Sequence, residues 1–441
     1  SPGGGKNFYG DFTINTGGSW TENGGGPAYT MYGNVTNNGT FALLSASISM
    51  RLAGNGKTLN GSITVGTLSM LSGSSYTNTG NLTVLNINNP GTLIQDENAV
   101  LTVDNIVTSD VMLIATAPGN TVNYTGAADQ TVRTSEYYHL NLGGSGAKSF
   151  TSANYTIHGN LAIDAGATLE ASPGISIDLK GDFTNDGGFT PGTSTVSFTG
   201  SAVQTIDGSS ATSVYHLAMD NNAGVLLSQD LVVDGALTFS NGIITSTASN
   251  LLTFSNGSAV SGAAPGKYVD GPVCKAGNSA FTFPIGKSGV YAPLSISAPA
   301  VVTDAFTAEY IRSSGRALGS ISALGLEAVS SCEYWRLDRS AGTSNVDVTL
   351  SWSESSPCGP GPYISDPSTI VVAHFDGSWD SYGNNGGTTG DETGGTATWN
   401  NVSTFSPFTL GSTNADDNVL PIKFGSVKAS LKNDGVQVDW A

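Results

Sequence analysis

Charge is scarce in this chain. Asp, Glu, Lys and Arg make up 11% of its 441 residues, less than half the usual share. What charge there is leans one way, with 34 acidic and 16 basic residues and a net of −18. A polyanion such as nucleic acid would be repelled, and no basic patch with interleaved aromatics occurs. No apolar run reaches the ~18 residues of a membrane-spanning helix, so no span is expected. Helical periodicity is sustained nowhere. The three cysteines, Cys274, Cys332 and Cys358, show no CxxC or Cys/His spacing suited to a metal. No secretory leader is visible, and the opening "SPGGGKNFYGDF" reads as a processed or trimmed start.

Glycine, by contrast, is abundant, at 58 residues. With Ser, Thr and Asn it supplies the polarity that ions do not. Hydrophobic residues, 38% of the chain, are spread along its length, which argues for a folded protein. Thr, Val, Ile and Tyr favour a pleated surface, while Gly and Asn suit tight corners.

From residue 1 to about 270 one short unit recurs: a Gly-Asn or Gly-Asp corner followed by a strand of alternating apolar and polar residues. "YGDFTI" (9–14), "NGSITV" (60–65), "TGNLTVLNI" (79–87), "HGNLAI" (158–163) and "DGALTF" (234–239) are examples. A longer echo joins "VNYTGAADQTV" (122–132) to "VSFTGSAVQTI" (196–206), each followed by "YHL". Such a unit cannot bury its apolar face alone, so the pattern predicts a solenoid of stacked coils. At roughly 20–25 residues per coil this gives about a dozen coils and a rod of about 55–60 Å. The spacing of the echo, about 75 residues, is expected to be three or four coils, with its copies above one another on one face. Asn-Gly hairpin signals are too scattered for a pair of β-sandwiches.

The texture changes near residue 270. "YVDGPVCKAGNSAFTFPIGKSGVYAPLSIS" carries Pro272, Pro284 and Pro293 and reads as a cap and connector, residues 271–290. Residues 291–413 hold longer aromatic strands such as "CEYWRLD" and "VDVTLSW", the pattern of an Ig-like β-sandwich. "NADDN" (414–418) is an acidic linker, and 414–441 reads as that linker plus the start of a further β domain that continues past Ala441.

"LPIKFGSVKASLKNDGVQVDWA" (420–441) resembles the segment preceding the C-terminal sorting domain of proteins that Bacteroidota export by the type IX route. "TGSAVQTIDG" (199–208) and "YHLAMDNNAGVLLSQDLVVDGALTFSNGIIT" (215–245) resemble repeats of their adhesin-like surface proteins, as do "GPVCKAGNSAFTFPIGKSGVYAPLSIS" and "CEYWRLDRSAGTSNVDVTLSW". The resemblance implies a right-handed parallel β-helix, export and display at the cell surface.

Residues able to carry chemistry are few. His139 and His216 each follow a Tyr at the same repeat position, which points to structure. His158 and His374 stand alone on strands. "GNGKT" (54–58) and "PIGKS" (284–288) lack the first glycine of a phosphate loop and read as turns. The carboxylate pairs Asp178/Asp182, Asp230/Asp234 and Asp96/Glu97 are candidates for sugar hydrolysis, but corner chemistry alone also places Asp there. A lyase for acidic sugars needs cations, and residues 1–270 offer only Lys6, Arg51, Lys57, Arg133, Lys148, Lys180 and Lys267. No catalytic site is therefore expected. No cofactor is expected either; weak calcium binding is the one exception, at the oxygen-rich loops 181–188 and 413–418, neither of which follows the calcium-loop pattern. Trp352, Trp379, Tyr382 and Trp399 are the candidates for stacking on sugar rings. Cys332 and Cys358 are expected to pair as a disulfide.

The expected molecule is an all-β, extracellular, non-catalytic stalk, adhesin-like, with a surface glycan or protein as partner. A self-assembling filament or sheath subunit and a polysaccharide-active enzyme are the alternatives. No capping helix precedes the first coil, so a head-to-tail or edge-to-edge contact with another copy or a surface partner is expected there, and head-to-tail contacts would give fibres.

Overall fold

Alternation of apolar and small polar residues sends every second side chain inward. In Asn81–Asn88, for example, Leu82, Val84 and Ile87 are buried. The computed structural model describes residues 5–108, 110–322, 325–356, 363–381, 385–414, 427–432 and 435–440. Its only helical pieces there are two single turns, Arg316–Leu318 and Pro367–Thr369. The rest of the regular structure is strand, and the fold is a parallel β-solenoid of about 13 turns. The chain divides into two compact units, Ser1–Gly242 and Ile243–Ala441.

In the first unit every ladder is parallel and joins a strand to one a coil further on. Matched residues lie between 92 − 75 = 17 (Ser75↔Thr92) and 59 − 35 = 24 (Val35↔Leu59) apart. From residue 121 onward the coil has three faces, visited in strict rotation. Face I holds Thr121–Tyr124, His139–Leu142, Leu161–Ile163, Phe183–Asn185 and Gln204–Asp207. Face II holds Glu136–Tyr137, Asn154–Ile157, Ser176–Leu179, Thr195–Phe198 and the later half of Thr212–Asp220. Face III holds Gln130–Thr131, Gly146–Phe150, Ala167–Ala171 and Gly188–Thr190. Translation by one coil puts like on like, so the core is columns: Leu101, Val122, Leu140, Leu161 and Phe183 stack in register, all buried.

The two copies of the echo do not sit on one face, which corrects the sequence-based expectation. Val122 is on face I, in register with Leu140, whereas Val196 is on face II, in register with Leu217. Three coils above Val122 lies Phe183. The separation of 196 − 122 = 74 residues therefore overshoots three coils by two faces and stops one face short of the fourth, which ends at Ile206. What repeats is a corner. In the first copy the Gly126 N–H donates to Gln130 Oε1 at 2.9 Å, and the Gln130 amide donates to the carbonyls of Val103 and Asn105 at 3.1 and 2.7 Å. In the second copy Gly200 donates to Gln204 Oε1 at 2.9 Å, and Gln204 donates to Leu179 and Gly181 at 3.0 and 2.5 Å. The Thr125 and Thr199 hydroxyls donate to Asp104 and Asp178. The same clasp thus serves at two different corners, the one leading from face I to face III and the one leading from face II to face I.

In the second unit the parallel pattern continues in Ile244–Thr245 with Val269–Asp270 and in Leu252–Phe254 with Val273–Ala276. Ala305–Ile311 then pairs antiparallel with Val273–Ala276. That sheet runs on through Tyr334–Ala341, Phe408–Ser412, Ile370–Phe375 and Trp379–Asp380. A second antiparallel sheet joins Phe281–Phe283, Leu294–Ile296, Val346–Ser353, Gly394–Val402 and Thr388–Gly390. Parallel pairing thus persists to Ala276, and antiparallel pairing begins inside the segment read as a connector. Near the end, Val427–Lys432 and Gly435–Trp440 form an antiparallel pair.

Candidate functional site

The first coil is where side chains of contact-making type converge. Its strands Lys6–Phe8, Phe12–Ile14 and Ser19–Glu22 each pair with a later coil and with nothing on their other edge among the described residues. Inward alternation therefore delivers aromatics to an open mouth. Trp20 is the hub, with ring centroids 4.8 Å from Tyr29, 5.2 Å from Phe12 and Phe41 and 5.9 Å from Phe8. Tyr29 is 2% exposed, while Phe8, Phe12 and Trp20 are half-buried around a hollow of about 530 Å³.

One carboxylate is fixed inside the mouth. Glu22 Oε1 accepts from Trp20 Nε1 at 3.1 Å and from the Tyr29 hydroxyl at 2.5 Å. These bonds hold Glu22 below its ordinary pKa, with Tyr29 the larger cause. Desolvation, aided by that carboxylate, pushes Tyr29 up to about 12. The carboxylate thus stays ionised and the phenol stays a donor. Lys6 places its ammonium 5.8 Å from the Tyr29 ring centre. The arrangement offers ring surface, one acceptor and one cation, with no second carboxylate for acid–base work.

The residues singled out from sequence are distributed otherwise. Trp352 is 4% exposed and donates from Nε1 to the Asp391 carbonyl at 2.9 Å; Trp379 is fully buried and donates to the Gly315 carbonyl at 2.9 Å. Neither ring is free to stack on a sugar, which corrects that expectation: both sit at inward positions of alternating strands, where large rings fill the core. Trp399 is half-buried, edge-on to His374 at 6.2 Å. Tyr382 lies outside the described residues. Cys332 is half of a disulfide and Cys274 is a buried free thiol; Cys358 lies outside the described residues.

The carboxylates at corners serve the coil above. Asp182 accepts from the Thr205 N–H at 2.8 Å, and Asp186 accepts from the Ser209 N–H and hydroxyl at 2.9 and 2.7 Å. Asp178 is taken by Thr199, and Asp96, Glu97, Asp230 and Asp234 lie exposed on the surface. Loop 181–188 is thereby a corner of this kind, and of loop 413–418 only Thr413 and Asn414 are described. No group of three or more His, Cys, Asp or Glu side chains is set to hold a metal among the described residues.

His139 and His216 have the same architectural job. Each lies edge-on to the preceding Tyr, at 4.7 and 4.6 Å. His139 Nδ1 accepts from the Asn160 N–H at 2.9 Å, and burial lowers its pKa. A Cβ at Gly159 would stand 2.6 Å from His139 Nδ1, and one at Gly235 would stand 3.0 Å from His216 Nδ1. The glycines of "HGN" and "DGA" are therefore the partners of "YHL" one coil below. Sequence reading expected a contact at the first coil but did not identify the cluster around Trp20; the density of Phe8, Tyr9, Phe12 and Trp20 within one coil was the available signal.

Comparison with family descriptions, with curated proteins and with solved structures finds no match to this chain.

Proposed function

We propose that this chain is an extracellular, non-catalytic structural protein of adhesin type. In this reading the coils are a stiff spacer and the aromatic first coil is its contact face. The observation that carries the reading is the way each coil satisfies the next. Asp11 accepts from the Asn34 N–H, and Asn34 accepts from the Thr58 N–H. Farther along, Asn160 accepts from the Asp182 N–H, and Asp182 from that of Thr205. Corner polar groups are thus committed to stiffness rather than to a reaction. Outward positions in register, Thr64, Thr83, Thr102, Asn123 and Asn141, carry no charge, which suits a flat neutral contact. The two antiparallel sheets of the second unit fit an Ig-like sandwich, with His374 of one meeting Trp399 of the other. The Bacteroidota resemblance supplies the location.

The test is immunogold labelling of intact cells of the source organism with antibody to this chain. Label on the outer surface is expected, and label confined to lysed cells would sink the reading. A sugar-release screen over plant and algal polysaccharides is expected to be blank; release abolished by one Asp substitution would show an enzyme instead.

A filament remains the second reading, favoured by the outer edge of the first coil, which pairs with nothing among the described residues. Against open-ended growth, the last parallel strand, Val273–Ala276, is already covered by the antiparallel Ala305–Ile311. Association through the first coil alone would close as a pair rather than grow. Light scattering on the full chain and on one lacking residues 5–20 separates these outcomes. Fibres would restore the filament, dimers lost with the truncation would limit it to pairing, and monomers throughout would remove it.

A further inference from the structure

In the second unit a groove of about 450 Å³ opens between Tyr334–Ala341, the end of Ile370–Phe375 and the loop 403–406. His374 lines it and is 4% exposed. Its ring is tilted against Phe408 at 4.9 Å as well as edge-on to Trp399. The imidazole hydrogen-bonds to the backbone carbonyl of Phe405, and Nε2 is buried with no partner. The proton donated to Phe405 is therefore on Nδ1, and Nε2 presents a lone pair. Burial lowers the pKa of this histidine, against the opposing pull of Phe405, Asp376 and Asp380. Neutral imidazole is thus the form at pH 7.

The rest of the groove is rich in acceptors. Asp338 and Asp376 are exposed at its rim, beside the hydroxyls of Ser403 and Thr404. The one cation, Arg339, is already engaged. It donates to the carbonyls of Thr343 and Ser344 at 3.1 and 2.9 Å and lies 5.0 Å from the Phe405 ring centre. An anionic ligand would meet two carboxylates. A cationic one would meet the fixed guanidinium. A neutral ligand carrying several hydroxyl donors meets neither obstacle and satisfies the orphaned nitrogen.

We propose that this groove is a binding site for a neutral saccharide. One ligand hydroxyl donates to His374 Nε2, and others donate to the carboxylates of Asp338 and Asp376. The proposal rests on the attachment reading only for where the sugar comes from; binding is measured on purified protein and stands or falls without the cell-surface result.

The experiment is a titration of the full chain, labelled with ¹⁵N at its four histidines, with neutral trisaccharides of glucose, xylose and N-acetylglucosamine. Glycerol and putrescine are the control arms. The expected result is a saturable shift of the His374 Nε2 resonance with at least one trisaccharide. Asp338→Asn and Asp376→Asn, both at exposed positions, should each weaken binding by about tenfold, about 1.4 kcal/mol, with thermal unfolding unchanged. Lowering the pH until His374 protonates should abolish the shift, because Nε2 then becomes a donor. The proposal is overturned if no trisaccharide moves His374, if putrescine moves it and the sugars do not, or if glycerol does so equally well. It is also overturned if both Asp variants bind normally.

Discussion

In the first unit most of the fully buried polar side chains are amides, among them Asn78, Gln95, Gln130, Asn185, Gln204 and Asn221. In the second, among the described residues, none is an amide: they are Ser and Thr together with four ionisable groups, Lys275, Asp304, Glu333 and His374. A periodic stack explains the contrast. An amide is donor and acceptor at once, so it can take a bond from one coil and pass one to the next, as Asn221 does to Gln204 Oε1 at 3.0 Å. A carboxylate only accepts and cannot propagate the pattern. Where translation ends and antiparallel pairing begins, each buried group meets a unique environment, and ionisable groups can be accommodated singly. Lys148 is the exception that keeps to the rule, because its ammonium sits on the carbonyls of Gly126 and Ser145 at 2.9 and 2.6 Å.

The largest expected break in the stack is Gln204→Leu. It strands the Gly200 N–H and the Gly181 carbonyl and takes one of several bonds from the Leu179 carbonyl and the Asn221 amide. A loss of about 4 kcal/mol follows from that many unmet buried groups, read as a lower urea midpoint at unchanged slope. An unchanged midpoint would mean that the clasp is ornamental.

The second unit should respond most to its disulfide. Cys332 is expected to pair with Cys358, closing a loop of 358 − 332 = 26 residues. Cys332→Ser should then cost about 3 kcal/mol on the chain-entropy argument, with unfolding of the first unit unaffected. Peptide mapping without reduction checks the pairing; Cys358 recovered as a free thiol would contradict it.

Acidity should distinguish the units more gently. Glu333 is fully buried, and Tyr310 donates to its Oε2 at 2.6 Å. Desolvation, the dominant cause, raises its pKa to about 7, against the pull of Tyr310, Tyr363 and Arg312. Its folded value exceeds its unfolded one, so the stability it contributes is full below about pH 4.5 and is lost as pH rises to about 7. Lys275 behaves oppositely. Burial depresses it to about 8, so its contribution is full above about pH 10.5 and is lost as pH falls through 8. The second unit should therefore be least stable between about pH 7 and 8, by roughly 2 kcal/mol relative to either side. Glu333→Gln should remove the acidic arm alone. A flat profile in chemical denaturation from pH 5 to 10 would refute the assignment.

The smallest effect probes the repeated corner. Gly159→Ala should cost about 1 kcal/mol by pressing on His139, and His139→Ala in the same chain should relieve part of that cost. Additive losses would break the link between "YHL" and the following glycine.

Much of the first unit could be read from sequence because its physics is local and repeated. A Gly-Asn corner and an alternating strand say the same thing a dozen times, and the stacked coils follow. The face on which each coil lands could not be read, since coils of 17 to 24 residues drift and only register fixes the phase. The second unit was legible as strands, but not which of its rings were inside. Trp352 and Trp379 sit on alternating strands like any surface aromatic would, and the partner sheet that buries them is far away in sequence. His374 looked solitary for the same reason: Phe405, Trp399 and Asp338 reach it through long-range pairing.

The displaced echo makes this coil behave like a screw thread with three starts. Cutting out residues 123–196 joins Val122 directly to Ser197, and the chain resumes with the same corner chemistry but rotated by a third of a turn. Every later strand in the first unit would change face while the later coils keep their pairing with one another. Length and angular phase are thus separate dials: whole coils added or removed alter reach alone, whereas this 74-residue segment also re-aims whatever the later coils display.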